Sequence, residues 1–228
     1  MKIKGFTNNQ LKIIAMISML IDHIGFILFP QIKLFRIIGR ISFPIFAYMI
    51  AEGCTYTRNK LKYLLSLGLL VLICQISYFI GTSSMYMNVL ITFTLSVICI
   101  FSIDLFTKNK TFLSGFVLLS VITVVFFICV IISSKIYFYD FKVDYGLLGV
   151  LLPVGIYVAH NKTEKIIYTA ILLLMMSATF NDTQFYSLMS IPLLLLYNGK
   201  RGKFNIKYLF YFFYPIHLGV LYAIDLLL

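Results

Sequence analysis

The sequence predicts an all-α, polytopic integral membrane protein, a single domain over residues 1–228 with about nine transmembrane helices. Of its 228 residues 61% are hydrophobic, the mean hydropathy is +0.98, and only 12% are charged. A soluble domain cannot bury that much apolar surface, so lipid must be the solvent. The apolar residues also form successive runs with short connectors, which leave no separate soluble core. Backbone amides in hydrocarbon have no water to bond, which favours helices.

The apolar runs define the predicted spans in order. They lie near 11–29, 37–55, 61–80, 88–106, 111–133, 145–160, 166–180, 184–197 and 207–227. The sixth to eighth are shorter than the roughly 20 residues that cross lipid, so we expect them to be little tilted, partly re-entrant or buried among neighbours. The first run contains Asp22 and His23 and has no small-residue cleavage site, so we interpret it as a helix rather than a signal peptide.

The distribution of lysine and arginine predicts the orientation. With the N-terminus in the cytoplasm, 14 of the 19 basic residues fall on the inner side: Lys2, Lys4, Lys12, Arg58, Lys60, Lys62, Lys108, Lys110, Lys162, Lys165, Lys200, Arg201, Lys203 and Lys207. The outer side receives Lys33, Arg36, Arg40, Lys135 and Lys142. Topology therefore accounts for the net charge of +11, and we expect no nucleic-acid partner. The lipid bilayer is the expected environment.

Asp22 and His23 lie about two-thirds of the way along the first predicted span. Ionisable side chains in lipid are costly and usually face a cavity or a charged partner. Histidine suits proton abstraction because its ordinary pKa is near neutral pH, so we interpret His23 as a catalytic base. Adjacent helical residues diverge by about 100°, which leaves Asp22 a positioning or electrostatic role in the catalytic group. Alternatively, the pair only locks helices together.

Two of the chain's four arginines, Arg36 and Arg40, are four residues apart at the start of the second span. Their predicted place on the outer side violates the charge bias. A guanidinium binds carboxylate or phosphate through two parallel hydrogen bonds. Arg40 is deep enough to need an anionic partner, and Asp22 is a candidate. We assign Arg40 to the catalytic group and Arg36 to substrate binding, the alternative being that their side chains extend to the membrane interface.

The last span carries several side chains suited to polar contacts or a kink: Tyr211, Tyr214, Pro215, His217 and Asp225. Tyr214 and His217 share a helix face beside a proline. The depths of His217 and His23 differ by about 5 Å from the helical rise, so both rings could face one cavity. We therefore add His217 to the catalytic group and Tyr214 to substrate binding. Alternatively, both residues join helices through hydrogen bonds.

Two further candidates lie at span ends. Asn88 opens the fourth span on the predicted outer side, as a catalytic residue or as a helix cap. Glu52 ends the second span on the inner side, as a substrate-binding residue or as a partner of Arg58 or Lys60.

The predicted inner connector at 197–203 is basic and glycine-flanked, with the sequence YNGKRGK. Lys200, Arg201 and Lys203 can bind phosphate groups through charge-assisted hydrogen bonds. The alternative is that they only anchor the topology. Nothing in the sequence predicts a metal site.

Several motifs together resemble the TraX family of conjugal-transfer membrane proteins. They fall in order along nearly the whole chain: Leu11–Ile17, Ile21–Gly25, Arg36–Ala47, Ala51–Gly53, Thr57–Asn59, Asn88–Thr94, Tyr197–Gly202 and Tyr214–His217. The family's name-giving member acetylates the N-terminal amine of F-type pilin. The chain is also similar to the transmembrane acyltransferases, which transfer acyl groups from cytoplasmic acyl-coenzyme A to extracytoplasmic acceptors.

The resemblance implies an acyl-coenzyme A-dependent O- or N-acetyltransferase. Acetyl-coenzyme A would be the donor, with its phosphates on Lys200, Arg201 and Lys203. A peptide, protein or glycan would be the acceptor. His23 would take the acceptor's proton. Arg40 or Asn88 would stabilise the oxyanion. Two rival hypotheses are a proton-coupled transporter or channel that uses Asp22, His23 and His217, and a non-enzymatic membrane assembly factor.

The charge asymmetry makes the orientation testable. A cysteine introduced within 198–206 should resist a membrane-impermeant thiol reagent in intact cells, because this connector is predicted to be cytoplasmic. A cysteine within 82–86 should react. The reverse labelling pattern would contradict the predicted orientation.

Overall fold

A computed structural model describes residues 5–135, 140–180, 182–203 and 206–227. Within these ranges the chain is helical and forms no β-strand, which confirms the all-α prediction. Lys2 and Lys4, which enter the charge count, lie outside the described residues. So do the side chains of Lys135, Lys207 and Tyr211.

The helices follow one another with short connections. In chain order they are α1 (Asn8–Ile27), α2 (Lys33–Gly39), α3 (Ser42–Tyr56), α4 (Lys60–Thr82), α5 (Val89–Asn109), α6 (Phe112–Phe126), α7 (Gly146–Val158), α8 (Lys162–Thr179), α9 (Ser190–Leu195) and α10 (Lys207–Asp225). A π-helical stretch, Phe127–Ile132, and a last turn, Ser133–Lys135, extend α6. A 3₁₀ segment, Asp182–Met189, precedes α9.

Polar residues placed just before the helices start several of them. Thr7 accepts the Gln10 backbone N–H, and the Gln10 side chain accepts the Thr7 backbone N–H in return. Thr111 and Ser114 form the same reciprocal box before α6. Asn59 and Asn161 each cap a helix with the side-chain oxygen. Such caps satisfy backbone donors that the first turn leaves unpaired.

The chain divides into two compact units, Met1–Met49 with Asn161–Leu228, and Ile50–His160. In the first unit α1 packs on α2 and on α10, and the 3₁₀ segment packs on α2 and α8. Its core includes the fully buried Leu11, Ala15, Ile45, Leu173 and Met176. In the second unit α5 packs on α4, α6 and α7. Its core includes the fully buried Val97, Ile100, Val143, Leu152 and Ile156.

Five segments of the described chain are long and apolar enough to cross a membrane by length and composition. They are Asn8–Ile27, Lys33–Tyr56, Lys60–Thr82, Val89–Asn109 and Phe112–Ile132. These coincide with the first five predicted spans and identify a membrane protein. The count of nine spans and the cytoplasmic N-terminus stay predictions.

Two predicted spans differ in detail from continuous helices. The second is interrupted at Arg40 and Ile41, where α2 ends and α3 begins. The eighth begins as a 3₁₀ helix and becomes α-helical only at Ser190. A 3₁₀ helix longer than three or four residues is uncommon, and a 3₁₀ stretch within a helix often marks a hinge or a strained sequence.

Candidate functional site

Close packing of α1 on α2 creates the first part of the site. A Cβ atom on Gly39 would overlap the side chain of Asp22, so only glycine permits this approach. The Ser18 hydroxyl donates to the Ile38 carbonyl at 2.6 Å, which ties the two helices at the same level. Asp22 was a candidate from the sequence. The close packing of the two helices explains how Arg36 and Arg40 reach its side chain.

The Asp22 carboxylate lies between two guanidinium groups. Arg36 Nη1 donates to Oδ2 at 2.6 Å, and Arg40 Nη2 donates to Oδ1 at 2.8 Å and to Oδ2 at 2.9 Å. The Asp22 and Arg40 side chains are only 10% and 9% exposed, whereas that of Arg36 is 28% exposed. The predicted pairing of Arg40 with Asp22 is confirmed. Arg36 joins the same cluster, and its role in substrate binding stays a prediction.

The imidazoles of His23 and His217 are in direct contact although 194 residues separate them in the chain. His23 Nδ1 lies 2.8 Å from His217 Nε2, and their ring centroids are 4.9 Å apart. Both histidines were predicted from sequence to lie at similar depth, and the structure brings them together. α1 supplies the first ring and α10 the second.

A backbone carbonyl determines the direction of hydrogen bonding in this pair. His217 Nδ1 lies 2.6 Å from the carbonyl oxygen of Phe213, which can only accept, so Nδ1 carries the proton. In a neutral ring the Nε2 atom of His217 is then an acceptor, and His23 Nδ1 must be its donor. The lone pair of neutral His23 consequently lies on Nε2. His23 can therefore act as a base through Nε2 while His217 holds its other nitrogen.

Aromatic rings fix the orientation of the two imidazoles. Phe213 stacks on His217 with centroids 4.7 Å apart and an interplanar angle of 15°. Tyr214 is buried and presents edge-to-face contacts to His217 at 5.7 Å and to His23 at 6.5 Å. Tyr214 thus lies beside both rings, as the site prediction requires of it. Whether it binds substrate is untested.

The 3₁₀ segment adds polar groups that the sequence reasoning missed. Gln184 is 2% exposed, and Ser187 and Ser190 are completely buried, whereas Phe185 and Met189 between them are more than half exposed. A 3₁₀ helix has three residues per turn, so positions three apart lie on one face. The spacing of polar residues at three in an apolar run was the available signal. That spacing predicts a polar face only when the segment is known to be a 3₁₀ helix, because only then do residues three apart align along the helix.

Arg40 connects this polar face to the ion cluster. Its Nη1 lies 3.5 Å from Gln184 Oε1. The Ser190 hydroxyl donates to the Ser187 carbonyl at 2.7 Å. Gln184 Nε2 and Ser187 Oγ have no hydrogen-bond partner among the residues that the structure describes. A buried polar group without a hydrogen-bond partner lowers the free energy of unfolding by about 1–3 kcal/mol.

The basic connector packs against the start of α1. Asn8 N–H donates to the Lys200 carbonyl at 2.8 Å, and Asn9 N–H donates to the Arg201 carbonyl at 3.1 Å. Gly202 has φ +97°, and a Cβ there would crowd Asn9 and Thr7 at 3.0–3.1 Å. The first amides of α1 are therefore occupied by carbonyls. An anion at this end must be bound by side chains instead.

Three cations project from this connector. Lys200, Arg201 and Lys203 are all exposed. Nearby, Lys162 Nζ donates to the carbonyls of Leu195 at 2.6 Å and Tyr197 at 2.7 Å, so its charge caps the end of α9. The exposed cations fit a polyanionic ligand such as the phosphates of coenzyme A, or the membrane-surface role that is their alternative.

Asn88 lies in the second unit and caps α5. Its Oδ1 accepts the Leu90 N–H at 2.9 Å and its Nδ2 donates to Gln75 Oε1 at 3.1 Å. The capping interpretation of Asn88 is confirmed, and its catalytic role is untested. Next to it, burial and the neighbouring Asp144 carboxylate raise the pKa of Tyr86, whose hydroxyl donates to Asp144 at 2.7 Å.

Glu52 also belongs to the second unit. It is 5% exposed. The ammonium of Lys60, one of its two predicted partners, forms an ion pair with Asp104, whose other oxygen accepts from Tyr157 at 2.6 Å. The substrate-binding role of Glu52 stays a prediction.

Comparison with known proteins agrees with this arrangement of motifs. The profile of the family described as TraX protein matches residues 7–225. The chain belongs to the TraX family. The predicted resemblance is thereby confirmed over the whole helical region.

Two relatives extend the comparison. One is a protein of Dichelobacter nodosus named as a probable fimbrial assembly protein, FimC, serogroup H1; it is 27% identical over 95% of this chain and 94% of its own length. The other is an uncharacterized protein of Rickettsia prowazekii (strain Madrid E), 30% identical over 69% of this chain and 59% of its own length. No solved structure matches the chain.

The ion cluster should carry much of the stability of the α1–α2 packing in this TraX-family chain. Asp22→Asn should lower stability by about 3–5 kcal/mol, because it leaves a buried guanidinium without its carboxylate. Arg40→Gln added to Asp22→Asn should recover part of the loss. Thermal unfolding in detergent measures both effects.

Asp104→Asn is the control for the Asp22 and Arg40 variants, because it removes the carboxylate of a different ion pair. Its partner Lys60 is 34% exposed, so this variant should cost less. Additive losses in the Asp22/Arg40 double variant would show that the two side chains do not stabilise one another.

Proposed function

We propose that this chain is a membrane-embedded acyltransferase of the bacterial cytoplasmic membrane. It transfers an acetyl group from acyl-coenzyme A to an amine or hydroxyl of an extracytoplasmic or membrane acceptor. The observation that carries the proposal is the contact of the half-buried His23 ring with the buried His217 ring, which leaves the His23 lone pair on Nε2. A base of this kind inside a lipid-facing bundle is expensive to keep without a chemical use. The family resemblance supplies the reaction class.

The proposed chemistry uses His23 twice. Its Nε2 takes a proton from the acceptor amine or hydroxyl as the acceptor's nitrogen or oxygen bonds to the acyl carbon. The same nitrogen then delivers that proton to the thioester sulfur as the carbon–sulfur bond breaks. His217 accepts the Nδ1–H of His23 throughout and so stabilises the transient imidazolium. Protons and electron pairs balance without a metal or redox partner.

Arg40 is the group we retain for stabilising negative charge on the carbonyl oxygen. A guanidinium in a buried site acts strongly on developing charge because water does not screen it. The amide of Asn88, the other candidate, is engaged by Leu90 and Gln75. Asp22 keeps Arg40 in position rather than contacting the reactants. Its side chain diverges from that of His23 by about 100° around α1.

The donor would be bound at the opposite end of α1 from the imidazoles. Asn8, next to the basic connector, and His23 are fifteen positions apart, which is about 22 Å at 1.5 Å per residue. Coenzyme A carries its phosphates and its thioester at opposite ends of a long flexible arm, so it suits this separation. With nine spans and a cytoplasmic N-terminus, the connector would face the cytoplasm, where acyl-coenzyme A is available.

A second candidate function is favoured by one relative. The Dichelobacter nodosus protein is named as a probable fimbrial assembly protein, which suggests a role in assembling surface fibres. The two candidates are compatible if the acceptor is a fibre subunit. A purely non-enzymatic assembly factor predicts that loss of the His23 base leaves assembly intact.

The catalytic assignment makes a sharp prediction for His23. His23→Gln should fold and insert normally, because Gln keeps hydrogen-bonding capacity and similar bulk. It cannot take up a proton at neutral pH, so turnover should fall by ~10²–10⁴-fold with little change in KM for the donor. Acyl transfer by the purified protein in detergent or nanodiscs is the measurement.

Two controls accompany this variant. His160→Gln changes an exposed histidine outside the first unit and should retain full turnover. Asp22→Asn should reduce turnover per folded molecule less than His23→Gln, because Asp22 acts through Arg40. Near-full acyl transfer by His23→Gln would move the base assignment to His217.

The donor site predicts a change in KM rather than in turnover. Replacing Lys200, Arg201 and Lys203 together with Gln should raise KM for acyl-coenzyme A far more than it lowers kcat, because phosphate contacts are distant from the reacting atoms. Steady-state kinetics with varied donor concentration measures the two constants.

A charge-matched control separates local binding from general electrostatics. Arg58, Lys108 and Lys110 are also exposed and predicted to be cytoplasmic, and their triple Gln variant should leave the donor KM near the parent value. An unchanged KM in the connector variant would return these residues to the role of a topological anchor.

A further inference from the structure

The buried face of the 3₁₀ segment carries more polar groups than helix packing requires. Ser190 satisfies its hydroxyl on the Ser187 carbonyl, as polar residues in apolar helices often do. Gln184 Nε2 and Ser187 Oγ are different, because neither has a partner among the described residues. Both side chains are at least 98% buried, and an apolar residue of similar size would avoid the cost of burying them.

The two unsatisfied groups present hydrogen-bond donors on one face. Three residues of 3₁₀ helix rise about 6 Å, so the amide and the hydroxyl are one turn apart. The Gln184 oxygen is directed to Arg40 at 3.5 Å, which leaves the amide nitrogen with its two hydrogens to be satisfied. A ligand that accepts a hydrogen bond from both groups must offer an acceptor, of which oxygen is the commonest in biological ligands.

The surroundings specify the charge of that oxygen. Arg40 contacts Gln184 and also holds Asp22, the residue before His23. Arg36 and Arg40 bring two guanidinium groups to this place, and such groups attract an oxygen with partial or full negative charge. An sp² oxygen of an amide carbonyl or a carboxylate has this property.

We propose that Gln184 and Ser187 form a subsite that binds an sp² oxygen of the acyl acceptor. The acceptor would then carry a carbonyl or carboxylate close to the amine or hydroxyl that is acylated. Recognition through the two donors holds the nucleophile on the His23 side of the Arg40 cluster. Naming the ligand as the acceptor rests on the proposed function, whereas the oxygen-binding subsite does not.

Three small amines serve as probes of binding in purified protein. Glycinamide carries an amide carbonyl, glycine carries a carboxylate, and ethylamine carries neither. We expect glycinamide or glycine to raise the Tm of the parent protein and ethylamine to leave it unchanged. Which of the two is effective distinguishes amide from carboxylate recognition.

Variants at the two donors should abolish that Tm increase. Ser187→Ala removes the hydroxyl, and Gln184→Glu keeps the contact with Arg40 but removes both amide hydrogens. Each should weaken probe binding by about tenfold or more, the worth of one hydrogen bond to a charged or buried group. Ser190→Ala is the matched control, because its hydroxyl is internally satisfied, and it should bind the probe like the parent.

The stability of the unliganded variants gives an independent measurement. Ser187→Ala should raise the Tm without probe by about 2–4 °C, because it removes a buried group that has no partner. A lower Tm, or a probe response that Ser187→Ala and Gln184→Glu both retain, would show that these groups serve folding alone and would overturn the subsite.

The kinetic readout separates this inference from the proposed function. If acyl transfer occurs, both variants should raise KM for glycinamide or glycine as acceptor and leave KM for the donor unchanged. A probe-dependent Tm increase without acyl transfer in any variant would reject the transferase but retain the subsite. Absence of a Tm increase with either sp² probe in the parent protein would reject the subsite.

Discussion

The Asp22 carboxylate is the constraint on which the rest of the site depends. A negative charge inside an apolar helix must be paired, and the guanidiniums of Arg36 on α2 and of Arg40 just after its end pair it. That pairing requires α2 to approach α1 as closely as Gly39 allows. The next residue along α1 then faces about 100° away from the cluster, which leaves the His23 ring to contact His217 rather than Asp22.

The histidine pair shows how a single backbone carbonyl can define chemistry two rings away. The Phe213 carbonyl accepts a hydrogen bond from His217 Nδ1, so His217 Nε2 is an acceptor toward His23 Nδ1. The lone pair of His23 is therefore on Nε2. No carboxylate is needed to orient the His23 ring. In a membrane interior a neutral imidazole partner costs less free energy to bury than a second ionised carboxylate would. The ion cluster is thereby separate from the histidine pair while remaining adjacent to it.

Several features were predictable because they follow from local pattern. Hydropathy predicts the first five spans, since a helix in lipid must be continuously apolar over about 20 residues. The pairing of Arg40 with Asp22 follows from the cost of isolated charge in hydrocarbon. Comparison of helical depth put His23 and His217 within about 5 Å of one another along the membrane normal, close enough to face one cavity. The motifs in order also predicted the TraX family, which the profile match confirms.

The sequence by itself thus determined the all-helical membrane architecture, the charged residues that must find partners, and the family. Only the tertiary structure decided that Arg36 shares Asp22 with Arg40, that the two imidazoles bond directly, and that Gln184 and Ser187 lie inward on a 3₁₀ face. The physical reason is the distance along the chain over which each interaction acts. Burial in lipid acts on each residue through its immediate neighbours in the chain. The direction of a hydrogen bond between α1 and α10 depends on contacts between residues nearly two hundred positions apart, and no local pattern records them.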